Sequence, residues 1–509
     1  MATGRVRGLV LASLLLPALA ACSGGSPLAA PPSPAASTTA ATAATAATAA
    51  AKLVAEHQDA EDAKPGTSAW KVTAWAPPAE LGGFTATSSV LPGETVHLHL
   101  RSSHPKVHVT AYRTGFYGGQ GATTIWQRDV AALPPGAPAL LRPATRTWTA
   151  AWPESTEVPT TGWLPGHYLF TLSAAGRQTQ VPFTVRSPSV VGKVVIIAEN
   201  TTWQAYNAYG GASLYHGANG ARKTRAYVVS HDRPLDYGQG AGDFVGNEMP
   251  LIRLADQLHL QLAFVTNTDL ETAPGLLDGA KAIISLGHDE YWSGAMRAQL
   301  LRARDKTGTN LAFLGANAIF RRIRLEPLAG RPNRLEVGYK SAELDPVTAT
   351  DPAASTADWP SAPMARDGKE LTGGAYQCNP VKGDLVLTDT STWLTAGLGL
   401  KPGYRLVNML GSEYDNIEPS GLAPTAIRSI ARSPLTCNGR PGHADFSYYT
   451  VPSGAAGIDV GTSTWVCALQ NVCGQLDIPA ANREVVIAIT TKILQDFATG
   501  PAGVRHPVA

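Results

Sequence analysis

The stretch "GHDEYW" sets His288, Asp289, Glu290 and Tyr291 side by side, directly after the apolar run "AIISL". A His and a carboxylate two residues apart suit two kinds of chemistry: an acid–base pair, or a ligand and the group that orients it. If the chain stays extended beyond Gly287, His288 and Glu290 share one face, and Asp289 and Tyr291 share the other. Gly287 permits a sharp exit from a strand. A local role is expected beside the chemical one, with Ser293 or Asp289 capping the helix that follows. Serine nucleophile chemistry is disfavoured by the lack of a GxSxG elbow.

Two more polar clusters follow apolar runs in the same way. "ENTTWQAYNAY" comes after "VVIIA", and "GAN" after "NLAFL". Between them, "EMPLIRLADQLHL" and "SGAMRAQLLRARDKTG" have helical spacing, and "QLAFVTN" reads as a strand. This alternation predicts a parallel sheet with helices on its faces. Ligands of such sheets bind beyond the carboxyl ends of the strands, so the three clusters should converge on one pocket. After Leu325 the pattern is more irregular and should add antiparallel strands, including "YRLVNMLGSEYD" and "GAAGIDVG"; "NREVVIAITTKILQDFA" reads as a closing helix. The expected fold class is α/β, a mostly parallel sheet with helices on both faces spanning 188–509. Ahead of it, residues 67–187 hold short alternating runs such as "TVHLHLRS" and "HYLFTLSA", which predict an all-β sandwich. Within that region "YRTGFYGGQGA" reads as a corner or domain contact.

Composition narrows the function classes. The 509 residues carry 41 Lys and Arg against 39 Asp and Glu, a net charge of +2 with no basic block, which argues against nucleic acid. Arg5 and Arg7 precede the apolar run "GLVLASLLLPALAA", which ends at Cys22, the pattern of an export signal over residues 1–22. The "LAAC" ending resembles a bacterial lipobox, which would make Cys22 a lipidated, membrane-anchoring residue outside the cytoplasm. Residues 23–66 are rich in Ala, Thr and Pro and read as a disordered tether. Four further cysteines, Cys378, Cys437, Cys467 and Cys473, suit two disulfides in an exported chain; Cys467 and Cys473 could close a small loop, although three pairings are open.

The motifs "TTWQAYNAYGGASLY", "RAYVVSHDRP", "GHDEYWSGAMR", "FLGANAIFRRIR" and "LGSEYD", in this order, resemble the large (beta) subunit of N,N-dimethylformamidase and its C-terminal-domain family. The resemblance implies an amidotransferase-like α/β domain joined to a β-sandwich. It also implies an amidohydrolase with one iron, held by two tyrosines and a glutamate. By motif, Tyr206 and Tyr227 match the tyrosine ligands, with Tyr209 and Tyr215 as rivals to Tyr206, and Glu290 matches the carboxylate ligand. His288 and Asn317 become pocket groups, and Glu413 of "GSEYD" a base or supporting carboxylate. Phenolate and carboxylate oxygens are hard donors suited to ferric iron. The expected substrate is a small amide or a cell-envelope component. Two other readings are a non-catalytic envelope-binding protein that keeps the fold, and a metal-free hydrolase that uses His288 and Glu290.

Overall fold

The computed structural model describes residues 61, 63–236, 241–418 and 421–508. The expected export signal, Cys22 and nearly all of the expected tether lie outside the described residues. Residues 62–509 form one compact unit.

In Thr95–Ser102 every second residue is buried, so Val96, Leu98 and Leu100 point inward while His97 and Arg101 do not. This strand pairs with Leu81–Thr85 and Thr156–Pro159. A second sheet is formed by Ser89–Val90, Arg177–Val185, Gly166–Ala174, Lys106–Thr114 and Ala122–Ala131, in that spatial order. Both sheets bury one core, in which Leu98 and Leu100 share a cluster with Val109, Phe170 and Leu172. The "YRTGFYGGQGA" turn seats these strands on the helix Met249–Gln257. Phe116 N donates to Asp256 Oδ2 at 2.6 Å, and Arg253 Nη2 donates to Gly119 O at 2.6 Å.

The expectation of an α/β fold, a mostly parallel sheet with helices on both faces, is corrected by the central sheet. Its nine strands run, in spatial order, Leu262–Thr266, Val194–Ala198, Ala282–Gly287, Asn310–Gly315, Ala456–Asp459, Arg440–Thr450, Ala426–Cys437, Gly383–Leu387 and Tyr404–Leu410. The first four pairings are parallel. The other four are antiparallel. With 36% strand and 20% helix, the molecule is mostly β and built on large mixed sheets. The reason lies beyond Leu325. There Asn438 and Gly439, both with positive φ, form a two-residue turn between the two longest strands, and this hairpin takes the centre of the antiparallel half. Among the described residues, only Met249–Gln257, Gly294–Thr307 and Ala480–Phe497 extend to nine residues or more of regular helix.

Two disulfides close the late segments, Cys378–Cys437 and Cys467–Cys473. They fit an oxidising, extracytoplasmic compartment. No helix among the described residues is long and apolar enough to cross a membrane.

Candidate metal centre and active site

The strand Ala282–Gly287 is buried along its whole length, with parallel neighbours on both sides. It ends where only glycine fits. Gly287 has φ +47°, and a Cβ there would overlap Asn247 Cβ; a Cβ on Gly315, its partner in the next strand, would run into the Gly287 carbonyl oxygen. Past this point the chain turns instead of staying extended. Glu290 N donates to His288 O at 3.1 Å, while Phe320 N and Arg321 N donate to Glu290 O at 3.1 and 2.9 Å. The tight turn still brings the two side chains together, with His288 Nε2 3.5 Å from Glu290 Oε2. Asp289 turns away into the core, where it accepts from Ser285 Oγ and Asn267 Nδ2. Ser293 caps the following helix by accepting from Met296 N at 3.2 Å.

Glu290 is fully buried and collects oxygen donors. Tyr206, the last residue of the helix Asn200–Tyr206, donates its hydroxyl to Glu290 Oε2 at 2.7 Å. Tyr215 donates to Oε1 at 3.0 Å and lies 3.3 Å from Oε2. The two phenol rings stack at 4.4 Å, so both hydroxyls arrive at one carboxylate from one side. Burial and the negative charge of Glu290 push both phenols above their ordinary pKa. Tyr227 stands outside this group. It directly precedes the short strand Val228–Ser230, its ring stacks on Tyr339 at 4.9 Å, and Arg146 and Arg225 lie over that ring. Tyr209 belongs to an aromatic cluster with Phe84 and Trp152. The second tyrosine whose hydroxyl meets Glu290 is therefore Tyr215 and not Tyr227.

Further polar groups lie against the same carboxylate. His288 Nε2 is 3.0 Å from Glu413 Oε2 and 3.4 Å from Asn317 Nδ2. Burial disfavours a charged His288, but the carboxylates of Glu413 and Glu290 override it and push the imidazole up to about 10. Asn317 is held with φ +61° by a backbone N–H that donates to both Asp415 oxygens, at 3.0 and 3.1 Å. Its side-chain Oδ1 is buried without a partner, a cost that a donor on a bound molecule would relieve. The structure thus brings Tyr206, Glu290, His288, Asn317 and Glu413 together.

Two basic side chains complete the surroundings, and neither stood out in the sequence; burial, with Arg321 nearby, pushes the Lys340 amine well below its ordinary range. Arg321 Nε donates to Glu290 Oε1 at 3.0 Å, and its guanidinium also pairs with Asp358. Lys340 Nζ sits 3.6 Å from the centre of the Tyr215 ring. Burial opposes ionisation of Glu290, yet Arg321, His288 and Lys340 hold it below the usual carboxylate range. Arg321 follows "GAN" by four residues, which is the one sequence signal for it; Lys340 lies in "GYKS" with no pattern to mark it.

The oxygen set fits a hard cation. Two phenols and an ionised carboxylate with no soft donor are suited to a highly charged ion, and the phenols, raised as they are, would ionise only beside one. The sequence from 108 to 475 matches the family described as N,N-dimethylformamidase beta subunit-like, C-terminal. All of the converging residues fall inside that stretch. No curated protein matches the chain.

Proposed function

The chain belongs to the N,N-dimethylformamidase beta subunit-like, C-terminal family, and from that premise we propose that it is an iron-dependent amidohydrolase acting outside the cytoplasm, tethered to a membrane through Cys22. The observation that carries this reading is the convergence of the Tyr206 and Tyr215 hydroxyls on the buried Glu290 carboxylate, with the His288–Glu413 pair beside it. Tyr206, Tyr215 and Glu290 would hold one ferric ion. Bound there, the ion would supply a Lewis acid that polarises an amide carbonyl and acidifies water at neutral pH.

The chain's own groups divide the remaining work. The Glu413 carboxylate, with Oε2 3.0 Å from His288 Nε2, would take a proton from the attacking water, and His288, protonated at neutral pH with its imidazole pushed up to about 10, would give its own to the leaving nitrogen and be reprotonated by Glu413. Asn317 Nδ2 donates to the oxygen on which negative charge develops. Arg321 keeps Glu290 ionised and in one orientation. The substrate is a small amide or an amide-bearing envelope component.

The reading is tested by iron content and by amine release from simple amides, N,N-dimethylformamide included. About one iron per chain, a phenolate-to-metal absorption band and loss of both iron and hydrolysis in Glu290→Ala are expected. A colourless protein that takes up no added iron and releases no amine would overturn it.

A further inference from the structure

The disulfide Cys378–Cys437 lies next to the proton-transfer pair. Cys378 ends the strand Ala375–Cys378, which pairs with Tyr414–Asn416 in the register Cys378 opposite Tyr414. Beyond it the chain continues beside Ser412 and Glu413, because Val381 N donates to Ser412 O at 2.8 Å. Asn379 therefore falls level with Glu413, and its Nδ2 donates to Glu413 Oε1 at 2.7 Å. That bond engages one carboxylate oxygen and leaves the other, Oε2, to face His288 Nε2 at 3.0 Å.

Asn379 is itself held from the other side. Asn438, in the hairpin turn next to Cys437, donates Nδ2 to Asn379 O at 3.3 Å, and the same nitrogen lies 3.2 Å from Cys378 Sγ. A two-stranded ribbon of three and four residues is marginal by itself. The disulfide ties this ribbon to the long hairpin Ala426–Thr450, whose strands lie inside the nine-stranded sheet. A rigid body thus reaches, through Cys437, Asn438 and Asn379, to one oxygen of Glu413.

We propose that Asn379 is a positioning residue that aims the Glu413 carboxylate at His288, and that the Cys378–Cys437 disulfide with Asn438 holds Asn379 in place. The catalytic meaning rests on Glu413 being the proton-transfer carboxylate of the proposed amidohydrolase, while the positioning is a matter of geometry alone. An untethered glutamate side chain retains several rotamers, and only those that present an oxygen to the imidazole would let the proton move.

The test compares crystal structures and kinetics of the wild type, Asn379→Leu, Cys378→Ser/Cys437→Ser and, as a control, Cys467→Ser/Cys473→Ser. In the first two variants Glu413 Oε2 should leave hydrogen-bond range of His288 Nε2; in the control it should stay. Amide hydrolysis should fall ~100-fold in kcat in the first two, with KM and iron content unchanged, since neither substrate-binding nor ligand atoms are removed. Asn379→Leu keeps the disulfide, so it reads the role of Asn379 even if the double serine variant does not fold, and wild-type crystals soaked in a phosphine reductant then read the role of the disulfide. A Glu413–His288 pair that remains hydrogen-bonded in Asn379→Leu overturns the proposal, as does an unchanged kcat. If no protein of the set hydrolyses any amide, the functional reading falls, and the crystallographic distance still decides the positioning.

Discussion

Tyr215→Phe, compared with Tyr227→Phe, separates two ways of building the proposed metal centre. Tyr215 gives Glu290 one hydroxyl at 3.0 Å, while Tyr206 and Arg321 supply two other donors, at 2.7 and 3.0 Å. In the metal-free protein the change removes a hydrogen bond to an ionised acceptor, worth about 1.5–3 kcal/mol. The two remaining donors place the loss near the lower end. The phenyl ring preserves the stack on Tyr206 and the contact with Lys340, so packing contributes little to the difference. For the proposed iron the consequence would be larger, because one of its three proposed protein oxygen donors would disappear. Loss of an outer partner of a metal site already costs 10–100-fold in affinity, so removing a ligand should cost at least ~100-fold, about 2.7 kcal/mol. Tyr227→Phe, whose ring stacks on Tyr339, should leave iron affinity unchanged. Iron titration followed by the phenolate-to-metal band, with iron content after desalting, measures both. Wild-type affinity in Tyr215→Phe, or loss of iron in Tyr227→Phe, would refute the assignment.

Gly287→Ala should destabilise the protein by about 1–3 kcal/mol from the left-handed backbone alone, and by more from the overlap with Asn247 Cβ; an unchanged denaturation midpoint would show that the strand end does not need glycine. His167, 1% exposed and bonded to Thr184 Oγ1 at 2.8 Å between Phe244 and Phe264, is pushed by burial down to about 3. Its folded pKa lies below the unfolded value of about 6.5, so between pH 3 and 6.5 the unfolded chain holds the extra proton. The stability tied to a neutral His167 is complete above pH 6.5 and is lost as pH falls through that window, by about 1.4 kcal/mol per unit. Denaturation midpoints of His167→Gln should fall less steeply with acid than those of the wild type; parallel curves would sink this account.

Part of the site was legible in the chain because it sits where strands end. "GHDEYW", "WQAYNAY" and "GAN" each follow an apolar run, and the central strands bring all three to one place; the Thr202 hydroxyl, two residues beyond Asn200, even accepts from Glu290 N at 3.1 Å. Glu413 was found only through a motif likeness, since its segment belongs to a two-stranded ribbon with no strong periodicity. The choice between Tyr215 and Tyr227 had no local signal, as both are aromatic residues in loop-flanked segments rich in Gly, Arg and Ser.

The sequence by itself determined the local events: the buried run that must stop at Gly287, a helix cap at Ser293 or Asp289, the four cysteines available for two disulfides, and the family to which residues 108–475 belong. Only the tertiary structure decided the fold class, the second tyrosine, and the partners Arg321, Lys340 and Asn379. These depend on contacts between segments tens of residues apart, such as the 75 positions separating Tyr215 from Glu290. Periodicity reports how one segment meets the core, not which other segment arrives at its end. The Asn438–Gly439 hairpin shows the same limit: its turn is local, but its place inside the nine-stranded sheet is set by remote pairings, Leu387 with Ala431 on one side and, through the adjoining strand Ala456–Asp459, Leu311 with Gly457 on the other.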